Sequence, residues 1–228
     1  MKIEVWYDFV CPLCYIGKRR LEIALSKFNY EDEVTLVFNS FEINTFDEEH
    51  SNETMNEITA RKYHMTLEEA KASNHYLVDK AKEVGLDFNI DEVIPKNTLD
   101  AHRVLQYAKT ENKAEEMAER ISKAHFVDAL DISDHSILAR LAGEVGLNSE
   151  KVISILKTDQ YREEVTKDEE AARRLGIDGV PYYIINRKYV VPGAQPPELF
   201  LEILEKAGED EIAAAAQSIM DDLLGRIL

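Results

Sequence analysis

The stretch Ile3-Glu4-Val5-Trp6-Tyr7-Asp8-Phe9-Val10-Cys11-Pro12-Leu13-Cys14 decides how the rest of the chain is read. Ile3 to Phe9 alternates and is rich in β-branched and aromatic residues, which predicts a strand. Cys11 and Cys14 are the only two cysteines, and a C-x-x-C pair directly after a strand, at the start of a helical pattern, reads as a redox dithiol. With Cys11 at a helix N-terminus, Cys14 lies about one turn further on, close enough to close a small disulfide ring. Pro12 fits the first helical position, where its missing N–H is no loss and its fixed φ favours the helix. The helix N–H groups and the positive end of the helix dipole are then expected to point at the Cys11 sulfur and stabilise its thiolate, the reactive species.

Three plainer readings stand beside this one. Half of a zinc site needs two further ligands at close spacing. The chain offers no other cysteine, and its histidines (His50, His64, His75, His102, His125, His135) form no H-x₃₋₅-H pair. A structural disulfide across so tight a loop would restrict the unfolded chain little. Two buried, inert cysteines are the remaining alternative.

The 228 residues carry 45% hydrophobic and 31% charged side chains, enough for a sizeable core. Twenty-seven basic residues against 44 acidic ones give a net charge of −17. This argues against nucleic acid or an anionic membrane as main partners, since both demand a positive face. The start of the chain lacks the apolar run and cleavage site of a signal peptide, and no stretch of about 18 apolar residues is present. A cytoplasmic protein is therefore expected, in surroundings where thiols stay mostly reduced.

Beyond the dithiol, Leu21, Ala24, Leu25 and Phe28 fall at helical spacing, and Gly17 within that helix permits a kink or close packing. Val34 to Phe38 predicts a second strand. From about Ser51 to Thr166 the pattern is helical almost throughout. Thr66 and Glu69 form a capping box, and Glu83-Val84-Gly85-Leu86 and Glu144-Val145-Gly146-Leu147 share C-cap chemistry. Strand character returns at Pro181 to Ile185 and Tyr189 to Val191, with Asn186-Arg187-Lys188 between them predicting a tight hairpin. Pro196-Pro197 starts a further helix. The expected architecture is an α/β domain over 1–50 and 166–208, a mixed sheet flanked by helices, with an all-helical insertion over 51–165. The segment 209–228 is expected to be a separate amphipathic helix whose stripe of Ile212, Ala216, Ile219, Leu223 and Ile227 packs on the core, or alternatively makes a homodimer contact.

Cys14-Tyr15-Ile16-Gly17-Lys18-Arg19-Arg20, Asn97-Thr98-Leu99-Asp100-Ala101-His102-Arg103 and Gly193-Ala194-Gln195-Pro196 follow one another in this order. With the β-α-β start, the helical insertion and Gly179-Val180-Pro181, they resemble the DsbA-like thioredoxin-fold proteins. Within these, they are most similar to the FrnE-like cytosolic branch, related to 2-hydroxychromene-2-carboxylate isomerases and kappa-class glutathione transferases. The resemblance spans Val5 to about Leu204. It implies a thioredoxin-like fold, a cis bond before Pro181 beside the dithiol, and a Val180 backbone able to pair with an extended substrate segment.

The resemblance further implies a substrate site made of Pro12, Leu13, Val180 and Pro181, with Asn97 and His102 facing the thiols from the insertion. The plainer roles are a helix cap for Asn97 and a core histidine for His102. Asp8 and Lys18 to Arg20 are candidates to tune the site, although short charge runs are mostly solvated. Two departures matter. Leu13 stands where this branch often has tryptophan, and it brings neither charge nor hydrogen bond. Cys11 stands where the isomerase relatives carry serine, which favours disulfide chemistry.

The expected function is thiol–disulfide exchange with protein or small-molecule thiols and disulfides. Cys11 attacks and Cys14 resolves the mixed disulfide, with no metal and no tightly bound cofactor required. The alternatives are a glutathione-dependent isomerase or transferase, with glutathione as co-substrate, and a non-catalytic peptide-binding or redox-sensing adaptor.

Overall fold

The computed structural model describes residues 1–29, 34–43 and 52–225; the side chains of 216 and 218–225 lie outside the description. β1 (Lys2–Tyr7) leads into α1 (Pro12–Leu25) and returns as β2 (Thr35–Ser40). Six helices follow: α2 (Met55–Tyr63), α3 (Leu67–Lys82), α4 (Leu99–Thr110), α5 (Ala114–Phe126), α6 (His135–Glu144) and α7 (Ser149–Leu156). The chain then closes with α8 (Arg162–Leu175), β3 (Tyr182–Ile185), β4 (Tyr189–Pro192) and α9 (Pro197–Gly225). The strands form one mixed sheet in the order β2-β1-β3-β4. β1 runs parallel to β2 and antiparallel to β3, which pairs antiparallel with β4. This is the expected α/β arrangement, a four-stranded mixed sheet interrupted by a helical insertion.

Alternation along β1 assigns its side chains to two separate packed layers. Ile3, Val5 and Tyr7 enter the main core with Leu21, Ala24 and Leu25 of α1, Val104 and Leu105 of α4, and Phe200 and Leu204 of α9. Trp6 points the other way, into a cluster with Ala172, Ile177 and Ile184. Its indole Nε1 donates to the Asp168 carbonyl at 3.2 Å, tying the sheet to α8.

Local sequence explains most element boundaries. Thr54 with Glu57, and Thr66 with Glu69, close reciprocal capping boxes at the starts of α2 and α3. Asp134 and Asn148 cap α6 and α7 through their side chains. The two similar words end their helices with the same bonds. Leu86 N–H donates to Ala81 and Gly85 N–H to Lys82; Leu147 N–H donates to Ala142 and Gly146 N–H to Gly143. Gly85 and Gly146 hold φ of +77° and +86°, and both leucines are buried, as the Schellman geometry requires. Asn186 and Arg187 have φ of 52° and 55°. Lys188 N–H donates to Ile185 O at 3.0 Å, so the hairpin turns through a type I′ bend.

One boundary differs from the expectation. α9 passes through Gly208 without a break, so no separate tail helix begins there. A Cβ at Gly208 would meet Phe28 Cζ at 3.4 Å, an ordinary van der Waals contact. Ile212, the first residue of the expected apolar stripe, is 55% exposed; the side chains of Ala216, Ile219 and Leu223, and all of Ile227, lie outside the described residues.

Gly146→Ala forces a Cβ into the left-handed region and is expected to lower stability by about 1–2 kcal/mol, read as a lower urea midpoint at unchanged slope.

Candidate active site

The dithiol sits where β1 gives way to α1. Cys11 is the N-cap of α1, with φ −91° and ψ 108°, and Pro12 follows inside the first turn. Cys11 N–H donates to Asp8 O at 3.3 Å and Cys14 N–H to Cys11 O at 3.0 Å, which fixes the turn. Both thiols are free. Cys11 is 7% exposed and Cys14 fully buried.

The Cys11 sulfur is not held as the helix-terminus argument expects. It takes no capping hydrogen bond from α1; instead its thiol donates to Val180 O at 3.6 Å. Cys14 Sγ receives the Asp8 N–H at 3.5 Å. Burial, then the adjoining Cys11 sulfur, pushes the Cys14 thiol well above its ordinary range.

The Val180–Pro181 peptide is cis. Pro181 O accepts from Gly193 N–H at 2.8 Å, fastening this loop to the end of β4. α1 approaches the loop closely because residue 17 has no side chain. A Cβ on Gly17 would lie 2.5 Å from Tyr183 Oη and 3.1 Å from Pro181 Cγ. Of the two readings of Gly17, the structure takes close packing.

Asp8 is the buried centre of the site. Its Oδ2 accepts from Ile43 N–H at 2.6 Å, and its Oδ1 lies 3.3 Å from His102 Nε2. His102 is fully buried, its ring centroid 4.9 Å from that of Phe9. His125 of α5 is also enclosed, and burial pushes its pKa from 6.5 down to about 4, so it is neutral near pH 7.

Beside Cys11 opens a cleft of about 640 Å³. Val10, Cys11 and Pro12 form one side; Met55, Ile58 and Leu77 of α2 and α3 form the other, with Lys62, Tyr63 and Met65 also lining it. A larger cavity of about 880 Å³ lies over β2 and α5 and is lined by no thiol. Among the described residues, no group of three or more His, Cys, Asp or Glu side chains is arranged to hold a metal ion. Among them, too, no helix is long and apolar enough to cross a membrane.

The structure thus brings Cys11, Cys14, Pro12, Val180 and Pro181 together. Leu13 is 40% exposed next to the thiols. Val180 is half-buried and Pro181 buried, so Val180 is the more accessible of the pair. His102 does not face a substrate: it is sealed behind Asp8. Asn97 is exposed and absent from the cleft lining. Its Oδ1 accepts from Leu99 N–H at 3.0 Å in the turn before α4, whose N-cap is Thr98.

Lys18 and Arg19 are not a solvated run. Lys18 is buried, pairing with Glu22 and, at 2.8 Å, with Glu119; Arg19 Nη2 reaches Glu119 at 2.7 Å. Burial alone would raise the Glu119 carboxyl, but the Lys18 charge and hydrogen bonds from Lys18 and Tyr15 hold it low. The pairs clamp α1 to α5. The cleft wall of α2 and α3 was not foreseen, and no short motif in the sequence signals it.

Residues 2–205 match the DSBA-like thioredoxin domain family. The chain belongs to that family. It is 34% identical to a probable DsbA oxidoreductase from Streptomyces coelicolor, with a TM-score of 0.87 over 92% of this chain and 90% of that one. It is 28% identical, over 92% of its length and 96% of the relative's, to the uncharacterized protein YwbO of Bacillus subtilis. A 2-hydroxychromene-2-carboxylate isomerase superimposes with a TM-score of 0.68 at 17% identity, covering 95% of this chain and 98% of that one. At that identity the likeness concerns the thioredoxin-like fold alone.

Two outcomes follow from this packing. Alanine for glycine inside a helix ordinarily stabilises by about 1 kcal/mol, but Gly17→Ala is expected to lower the urea midpoint because buried Tyr183 cannot withdraw. His125 charges more readily when unfolded than when folded. Its contribution is therefore fully present above pH 6.5 and lost as pH falls toward 4. Loss of stability on the order of 3 kcal/mol across that window is expected, and His125→Leu should flatten the slope there in a pH series of urea melts.

Proposed function

We propose that the protein is a thiol–disulfide oxidoreductase in which Cys11 is the attacking thiol and Cys14 the resolving one. The observation that carries this reading is the unequal placement of the two sulfurs. Cys11 borders the apolar cleft beside Val180, while Cys14 is enclosed behind it and its thiol is pushed up by burial. A substrate disulfide can meet only the first.

In the reducing direction the Cys11 thiolate attacks one sulfur of the substrate disulfide. The substrate S–S bond breaks, its electron pair leaves on the departing sulfur, and a mixed disulfide forms on Cys11. Cys14, deprotonated, then attacks the Cys11 sulfur. The Cys11–Cys14 bond forms and the second substrate thiolate leaves and takes up a proton. The substrate gains two electrons and the dithiol loses two. The reverse sequence oxidises a substrate dithiol. The half-buried Val180 backbone and the apolar wall of Ile58 and Leu77 suit an extended or apolar group on the substrate.

Incubation of Cys14→Ser with glutathione disulfide is expected to trap a mixed disulfide on Cys11, visible by mass spectrometry, whereas Cys11→Ser should trap none. The wild type should interconvert between dithiol and disulfide at a potential between about −270 and −120 mV. If no Cys11–Cys14 disulfide forms, the proposal fails. Glutathione-dependent turnover that survives Cys14→Ser would point instead to isomerase chemistry.

A further inference from the structure

We propose that the cleft beside Cys11 selects extended polypeptide substrates with an acidic side chain near the reacting cysteine, and that Lys62 reads this charge. The inference deepens the proposed function and rests on Cys11 being the attacking thiol.

Met55, Ile58, Thr59 and Lys62 all line the cleft. They stand at i, i+3, i+4 and i+7 of α2, so they share one face of that helix. The face begins apolar and ends in a cation about 10 Å further along the axis. A buried tie holds this wall in place. Asn74 of α3 donates to Asn56 Oδ1 at 2.8 Å, and Asn56 Nδ2 donates to Asp91 at 2.7 Å. Lys62 is thus carried on a packed helix, not on a loop.

The chain has a net charge of −17, yet among the described residues that line this cleft none is acidic and two, Arg61 and Lys62, are basic. The two cations differ. Arg61 Nε lies 2.9 Å from Glu53, which cancels much of its charge. Lys62 pairs with no carboxylate among the described residues and lies 5.8 Å from the centre of the Tyr63 ring. Asp91, the carboxylate of the α2–α3 tie, is held by Asn56 and His75. Lys62 is therefore open to a carboxylate brought by the substrate.

The surface around the mouth suits a chain better than a compact molecule. Tyr63 and Met65 line the cleft and are 59% and 40% exposed, and Leu13, next to Pro12 at the cleft edge, is 40% exposed. With the half-buried Val180 backbone, they extend the apolar contact beyond the cleft itself and favour an extended segment. The charge preference runs against the field of the whole molecule, which repels acidic substrates and draws basic ones. Faster reaction of an acidic peptide therefore has to come from a local contact.

The test uses short acetylated and amidated peptides whose one cysteine is joined to pyridine-2-thiol in a mixed disulfide. The Cys11 thiolate attacks the peptide sulfur and the S–S bond breaks. Its electron pair leaves on the pyridine sulfur, which takes up a proton and is measured as the thione. Glutamate, glutamine or lysine is placed in turn at successive positions on either side of the cysteine. At the best position, glutamate is expected to react roughly 2- to 5-fold faster than glutamine, with lysine slowest. The lead should vanish at about 1 M salt, where the Debye length falls to about 3 Å. In Lys62→Gln glutamate should lose its lead, in Lys62→Glu lysine should be fastest, and Lys62→Arg should keep the wild-type order. Each reading is a ratio within one protein, so differences in the folded or active fraction cancel. Lysine fastest in the wild type, a glutamate lead that survives Lys62→Gln, or a lead lost in Lys62→Arg as well would overturn the role of Lys62. A glutathione–pyridine disulfide that outruns every acidic peptide would overturn the polypeptide reading. Thione release no faster than with Cys11→Ser would overturn the attacking role of Cys11, and the selection with it.

Discussion

The Asp8 side chain lies entirely out of water, where a polar group without partners is costly, and Ile43 N–H and His102 Nε2 meet its two oxygens. Its backbone also carries the dithiol turn: the carbonyl receives Cys11 N–H and the amide reaches the Cys14 sulfur. One residue thus joins the last turn of β1, the start of α1 and the segment leaving β2 through Ile43. Its one side-chain donor comes from the far side of the insertion. Moving any of these elements would leave a buried polar side chain short of a partner, so the sheet, α1 and the insertion meet at this one residue.

The insertion therefore does two separate jobs. α4 and α5 close the site from behind with His102 and His125, and α5 anchors α1 through Glu119 to Lys18 and Arg19. α2 and α3 instead build the open wall across from Cys11. Ile58 and Leu77 sit half-buried there, outside the buried apolar clusters. Apolar side chains are completed by partners in one half of the insertion and left facing a cleft in the other.

Features with local causes were legible in the sequence. The strand before Cys11 declares itself by its period, and the β3–β4 turn needs only Asn186 and Arg187 to accept positive φ. The ends of α3 and α6 follow from a glycine and the leucine after it. Features set by distant partners were not legible. The orientation of the Cys11 sulfur depends on Val180, 169 residues on, and the burial of Lys18 on Glu119, 101 residues on. His102 looked like a group facing the thiols because a motif carries residue identity, not the direction in which a ring points. Gly208 reads as a helix stop because glycine is weak in helices, whereas α9 runs straight through it.

Trp6, the only tryptophan, offers a last consequence. It adjoins Tyr7, yet pleating sends it to the opposite face of the sheet, against Ala172 and Ile177, with its indole bonded to α8. The two cysteines belong to the core on the other side. Its emission will thus register whether α8 is docked and the sheet intact, and it is open to the dithiol as well, since Val180, which packs against the same cluster, accepts from the Cys11 thiol. Fluorescence accordingly mixes unfolding with the state of the dithiol in this protein, and oxidation has to be read from the thiols themselves.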